Sequence, residues 1–221
     1  MKRKYKLVAF DVDGTLIDEM QFIWTALHRK FAVDEEALDS AREMFEKRQI
    51  TFREWAEHDI RQWIAHGATR NEILKSIKSF RIMEGAMQTL QELKRRGYTL
   101  AVISGGLDTA LYAHIPDADS IFRYIIINRL VFDASGNLTG IHVPREYDSW
   151  GESKQRVLRS VAKKEGITTE QCVFVGDSNN DLDVIREAGL GIAFNATPEL
   201  SEVADAVIRK KDLRMLLDIL E

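Results

Sequence analysis

Apolar residues along the chain fall into two rhythms. Short continuous runs occur at Leu7-Val8-Ala9-Phe10, Leu100 to Ile103, Val173 to Val175, Gly191 to Phe194 and, more weakly, Ala206 to Ile208. They have the form of strands buried on both faces of a parallel sheet. The first three stop at polar or glycine residues: Asp11, Ser104-Gly105-Gly106 and Gly176-Asp177. Between them lie stretches of helical periodicity, Gly85 to Arg96, Glu152 to Glu165 and Asp181 to Ala188, closed by the stop glycines Gly97, Gly166 and Gly189. Strand alternating with helix predicts an α/β fold, a Rossmann-like parallel sheet flanked by helices, with ligands at the carboxyl ends of the strands.

Two stretches break the alternation. From Asp18 to about Arg81 the pattern is helical with no convincing strand; Phe22, Ile23, Leu27 and Phe31 recur at turn-related spacings. This predicts a small helical cap domain, residues 18–81, inserted after the first strand of a core made of residues 1–17 and 82–221. Rooted beside the first strand's polar loop, it is placed to close over a site there. Trp24, Trp55 and Trp63 fit its interior better than a substrate pocket. From Tyr124 to Val143, two β-prone runs separated by Asp133-Ala134-Ser135-Gly136-Asn137 predict a hairpin.

Composition narrows the classes. The 221 residues, 45% hydrophobic with 3 prolines, suffice for one ordinary core and exclude a disordered tail or fibre. Lys+Arg of 31 against Asp+Glu of 35 leaves a net charge of −4, which gives no pull toward nucleic acid or anionic lipid. The lone Cys172 cannot close a disulfide within the chain, which fits a reducing compartment. The basic start Met1-Lys2-Arg3-Lys4 is followed by only four apolar residues, Leu7 to Phe10, before Asp11, too few for a secretory signal. With no run of ~20 uncharged apolar residues either, a cytoplasmic monomer or homodimer with no membrane or nucleic-acid partner is expected.

Asp11-Val12-Asp13-Gly14-Thr15 puts two carboxylates two residues apart where a buried strand ends. Two like charges ~4 Å apart in an effective dielectric of ~20 repel by ~4 kcal/mol, so the pair calls for a cation or a shared proton. Gly176-Asp177-Ser178-Asn179-Asn180-Asp181 adds carboxylates at another strand end, and oxygen-only ligands suit Mg²⁺. An EF-hand calcium loop starting at Asp177 fails, because Leu182 stands where its glycine must turn and Ala188 where its bidentate glutamate must bind. Ser104, followed by two glycines, offers a hydroxyl and flexible N–H groups to a phosphate oxygen, and Lys154, in the helix after Trp150-Gly151, offers a point charge. The five histidines, His28, His58, His66, His114 and His142, show no metal-binding spacing with a third ligand.

This ordered set, Asp11-Val12-Asp13-Gly14-Thr15, then Ser104, Lys154, and Gly176-Asp177 with Asp181, resembles the successive motifs of the haloacid-dehalogenase superfamily of phosphohydrolases. The insert after the first motif, Ile103-Ser104-Gly105-Gly106, Asn128-Arg129-Leu130 and Gly191-Ile192-Ala193-Phe194-Asn195-Ala196 are similar to its phosphoserine-phosphatase branch. The resemblance implies a Mg²⁺-dependent phosphomonoester hydrolase acting on a small phosphorylated metabolite. It implies Asp11 as the nucleophile, forming an aspartyl-phosphate, and Asp13 as the acid and base. The metal would be held by the Asp11 carboxylate, the Asp13 main-chain carbonyl and the Asp177 carboxylate, with Asp181 in support. Ser104, Gly105, Lys154 and Asn180 would grip the phosphoryl oxygens. A non-catalytic phosphate-binding adaptor or sensor using the same pocket is the alternative; such a binder does not need Asp13.

The branch clamps its amino-acid substrate with a glutamate after the first motif and an arginine in the cap. Here the glutamate position falls on Met20, with Glu19 one place early, and the arginine position on Asp59, with Arg53 and Arg61 nearby. One residue re-aims a helical side chain by ~100°, so the clamp that confers phosphoserine specificity is altered here. Glu19, Met20, Phe52, Arg53 and Asp59 are the candidate specificity residues.

Overall fold

The computed structural model describes residues 4–20, 22–147 and 154–220. In chain order the elements are β1 (Leu7–Phe10), β2 (Ile17–Asp18), α1 (Ile23–Lys30), α2 (Glu35–Glu46), α3 (Phe52–Ala65), α4 (Arg70–Ile77) and β3 (Arg81–Ile82). Then come α5 (Ala86–Arg95), β4 (Thr99–Leu107), α6 (Asp108–His114), α7 (Ala118–Ile121), β5 (Tyr124–Phe132) and β6 (Leu138–His142). The chain continues with α8 (Lys154–Lys164), β7 (Cys172–Gly176), α9 (Leu182–Glu187), β8 (Leu190–Phe194), α10 (Pro198–Val203), β9 (Ala206–Ile208) and α11 (Met215–Ile219). Among the described residues, seven strands form one sheet in the order β6-β5-β4-β1-β7-β8-β9, parallel except for β6. The expected fold class is the one observed.

The register of the central strands positions the site. Phe10 of β1 lies level with Val102 of β4 on one side and Val175 of β7 on the other. The residues that follow, Asp11, Ile103 onward and Gly176 onward, therefore emerge together at one edge. All four side chains of β1 are buried, as a continuous apolar run predicts for a strand covered on both faces.

Two boundaries differ from the sequence reading, and a third falls outside the described residues. β4 does not end at Ile103 but runs through Ser104-Gly105-Gly106 to Leu107, and its register with β5 shifts between Ile103 and Leu107. The small residues there let the strand deform without breaking. The segment after the first motif is not purely helical at its ends: β2 and β3 pair antiparallel, Ile17 with Ile82 and Asp18 with Arg81, and join its two roots. A two-residue ribbon is too short to show period-2 alternation. α8 is described from Lys154; the stretch Trp150 to Ser153, which includes the expected start at Glu152, lies outside the described residues.

Between the roots lie α1 to α4, and Trp63 of α3 is fully buried against α1. Its ring packs 5.2 Å from that of Trp24 and 6.2 Å from that of Phe31, and its indole N–H donates to His28 Nδ1 at 3.0 Å. α3 starts with a capping box: Thr51 Oγ1 accepts from Glu54 N, and Glu54 reaches back to Thr51 N. The tip of the β5–β6 hairpin is tied to the turn between α3 and α4, with Leu138 N donating to Ala68 O and Arg70 N to Gly136 O.

Truncating so large a buried ring removes its packing against Trp24, His28 and Phe31. Trp63→Ala is expected to cost about 3–5 kcal/mol, read as a lower midpoint in urea unfolding; a loss below about 1 kcal/mol would contradict this packing role.

Candidate active site

Asp11 is the first residue past β1. Its backbone N–H still donates to Val175 O of β7, while its Oδ1 accepts from Val12 N at 2.8 Å. That turn fixes the carboxylate at the sheet edge. Lys154, the first described residue of α8, is 1% exposed and bridges two acids: its Nζ lies 2.8 Å from Asp11 Oδ2 and 2.6 Å from Asp181 Oδ1. Asp181 Oδ2 also accepts from the N–H groups of Asp177 and Ser178, so the loop after β7 is folded around this carboxylate. Asp177 comes back toward the first motif, where Thr15 Oγ1 donates to its Oδ1 at 3.4 Å.

Asp11, Asp177 and Asp181 each offer an oxygen within 4.8 Å of the others. Gly14 makes the approach possible: its φ is +74°, and a Cβ there would run into the Asp177 carboxylate. Burial, followed by the charge of Asp11, pushes the Asp177 carboxyl up to about 8. Burial pushes Asp181 upward as well, opposed by Lys154. Among the described residues, the Asp11, Asp177 and Asp181 carboxylates share the single ammonium of Lys154, so the site carries excess negative charge among oxygen donors. That donor set fits a hard divalent cation.

On the other side of Asp11 stands the Asp13 carboxyl. Its Oδ2 accepts from Ile23 N, the first residue of α1, at 2.8 Å, and the charge sits at the positive end of that helix. α1 has no cap from its own chain neighbours, so Asp13 serves as one from across the turn. Asp13 and Ser104 flank Gly106: a Cβ on that glycine would meet Asp13 Oδ1 at 2.8 Å and Ser104 Oγ at 3.2 Å. Ser104 Oγ accepts from Gly106 N at 3.0 Å. The Gly105 carbonyl accepts from two donors, Trp24 Nε1 at 3.0 Å and Asn128 Nδ2 at 2.8 Å. Asn180 is exposed; its side-chain oxygen accepts from Ser178 Oγ at 2.7 Å and lies 3.4 Å from Lys154 Nζ.

Thus Asp11, Asp13, Ser104, Lys154, Asp177 and Asp181 converge from three neighbouring strands, β1, β4 and β7, and one helix, α8, with Gly105 and Asn180 at the margin. The candidate specificity residues divide. Phe52 and Asp59, both buried, line a cavity of ≈ 620 Å³ together with Phe22, Trp24 and His28. Glu19, in the left-handed region at φ +63°, is exposed, and Met20 is buried; both lie on a second cavity of ≈ 990 Å³ that also reaches Gly14, Asp177 and Ser178. Arg53 donates to Val143 O instead. Trp24, Thr15 and Asn128 were missed as site residues. Thr15 lies within the first motif, and Asn128, a fully buried amide after Ile125-Ile126-Ile127, is a polar interruption of an apolar run. Trp24 gave no local signal.

A sheet with this strand order, and an acid pair at its first strand end answered by a lysine and a second acid loop, defines a hydrolase of the haloacid dehalogenase type. The chain belongs to the haloacid dehalogenase-like hydrolase family, which it matches over residues 8–186. It is similar to phosphoserine phosphatase from Methanocaldococcus jannaschii, 37% identical over 98% of each chain. Two solved structures agree. A phosphoserine phosphatase with a phospho-aspartyl intermediate analogue superposes with TM-score 0.74 at 33% identity, covering 99% of this chain and 100% of that one. A substrate-bound phosphoserine phosphatase complex superposes with TM-score 0.75 at 32% identity, covering all of both chains. The chain is a phosphatase-type hydrolase of this family, similar to phosphoserine phosphatase.

Because Asp177 and Asp181 titrate above their unfolded value, ionising them in the fold costs stability. The ion-free protein should lose stability as pH rises from about 4 toward about 8. Mg²⁺ should offset that loss, raising Tm by roughly 5 °C more at pH ~8 than at pH ~5.5 in thermal melts with and without EDTA. Equal shifts at both values would contradict the charge argument.

Proposed function

We propose that the chain is a Mg²⁺-dependent phosphomonoesterase acting on a small phosphorylated metabolite through an aspartyl-phosphate on Asp11. The observation that carries this reading is the buried cluster in which Lys154 bridges Asp11 and Asp181 while the Asp13 carboxyl is held by Ile23 N–H. Asp11, Asp177 and Asp181, with the Asp13 main-chain carbonyl, would hold the ion. When bound, Mg²⁺ supplies charge that offsets the repulsion between an anionic nucleophile and a phosphate.

The Asp11 carboxylate forms a bond to phosphorus as the bond to the leaving oxygen breaks. Asp13, on the face of Ser104 and the first turn of α1, gives its proton to that oxygen. It then takes a proton from the water that attacks the aspartyl-phosphate and releases phosphate. The Ser104 hydroxyl, the Gly105 backbone N–H and Asn180 hold phosphoryl oxygens, and the Lys154 ammonium neutralises charge that spreads over them in a loose transition state. Residues 18–81 act as a cap over a core of residues 1–17 and 82–221, excluding water when α1 is seated. The position of Asp13 supports hydrolysis over mere phosphate binding, since a sensor has no use for an acid there.

Phosphate release from a panel of phosphomonoesters, phosphoserine included, tests the reading. Activity should need Mg²⁺ and fall by ~10³-fold or more in Asp11→Asn. Asp13→Asn should lower kcat by roughly 10²–10⁴, and Lys154→Ala by ~10²–10³. Turnover that survives both EDTA and Asp11→Asn would reject this mechanism.

A further inference from the structure

We propose that Asn128 of the sheet and Trp24 of the helical insert are positioning residues that act on phosphoryl transfer through the hydroxyl of Ser104. This role presupposes the phosphomonoesterase reading above. The ladder between β4 and β5 is irregular where Ser104 lies. Ile103 is level with Ile126 and Leu107 with Asn128, so Ser104, Gly105 and Gly106 stand against Ile127 alone. Such a bulge takes backbone groups out of the regular ladder, and in this buried stretch they need other partners.

The Gly105 carbonyl has two, both from side chains: Asn128 Nδ2 at 2.8 Å and Trp24 Nε1 at 3.0 Å. A peptide unit is planar and trans, so its carbonyl and its N–H point in opposite directions. Holding the Gly105 carbonyl on one side therefore aims the Gly106 N–H to the other, where it donates to Ser104 Oγ at 3.0 Å. That bond occupies one lone pair of the hydroxyl and turns its proton away from Gly106. Among the described residues no acceptor takes that proton, which is the one a phosphoryl oxygen would receive. The same peptide lies against the acid, since a Cβ on Gly106 would meet Asp13 Oδ1 at 2.8 Å.

Asn128 is fully buried yet half satisfied: among the described residues its Oδ1 has no hydrogen-bond partner. A buried amide with an unpaired oxygen costs stability relative to an apolar side chain of similar size, so packing does not account for it. The one bond it makes, to Gly105, does. Trp24, also buried, makes the matching bond from the insert, one residue after Ile23 binds Asp13. Seating the first turn of α1 thus completes the support of Ser104 and of the acid together.

The test is a pair of double-mutant cycles, read with p-nitrophenyl phosphate and Mg²⁺. Asn128→Leu should lower kcat/KM by ~10-fold in otherwise wild-type protein, but by less than ~2-fold in a Ser104→Ala background, where no hydroxyl is left to aim. Trp24→Phe, which keeps a ring and loses the N–H, should show the same coupling to Ser104→Ala, so the result does not hang on the folding of one variant. Equal losses in both backgrounds, the pattern of a merely structural effect, would overturn the positioning role while leaving the phosphatase reading intact. So would full activity in folded Asn128→Leu. Failure of the wild-type protein to hydrolyse p-nitrophenyl phosphate with Mg²⁺ would overturn both.

Discussion

Repulsion among carboxylates gathered at one sheet edge is the constraint around which the rest of the structure is arranged. β1 and β7 are neighbours in register, so Asp11 and the loop of Asp177 and Asp181 emerge side by side. Such crowding is tolerable only with countercharge, and Lys154, itself buried, supplies part of it from α8. A lone ammonium in that interior would be as costly as the acids it faces; each makes the other possible. The backbone N–H groups of Val12, Asp177 and Ser178, all directed at these carboxylates, complete the stabilisation without adding charge.

The fold places a second set of contacts between the helical insert and the core. Ile23 N–H reaches Asp13, Trp24 N–H reaches the Gly105 carbonyl, and the hairpin tip binds the turn between α3 and α4. The insert is therefore tied to the core at the reacting end as well as through its β2–β3 roots. Its own interior rests on Trp63, whose indole N–H donates to His28.

What could be read from the sequence and what could not divides by range of interaction. Asp11, Asp13 and Asp177 were visible because acids directly ending apolar runs are costly and need a reason. The central strands were visible because double burial demands unbroken apolar residues. α6, α7, α10 and α11, of four to seven residues, are too short to display a helical period. The continuation of β4 through Gly105 and Gly106 was hidden because glycines read as a stop when they are in fact the place where the strand bends. The contacts of Trp24 and Asn128 were illegible for another reason: their partner, Gly105, lies 81 and 23 residues away, and although Asn128 interrupts an apolar run nothing local names Gly105 as its partner.

The junction at the start of α1 carries a consequence for speed. Ile23 and Trp24 belong to one helical turn, so lifting that turn deprives Asp13 of its N–H donor and Gly105 of one of its two donors in the same movement. Any movement of that turn, in the seating or release of a phosphoester, therefore acts on Asp13 and on the loop of Ser104 at once, so its rate bears on both.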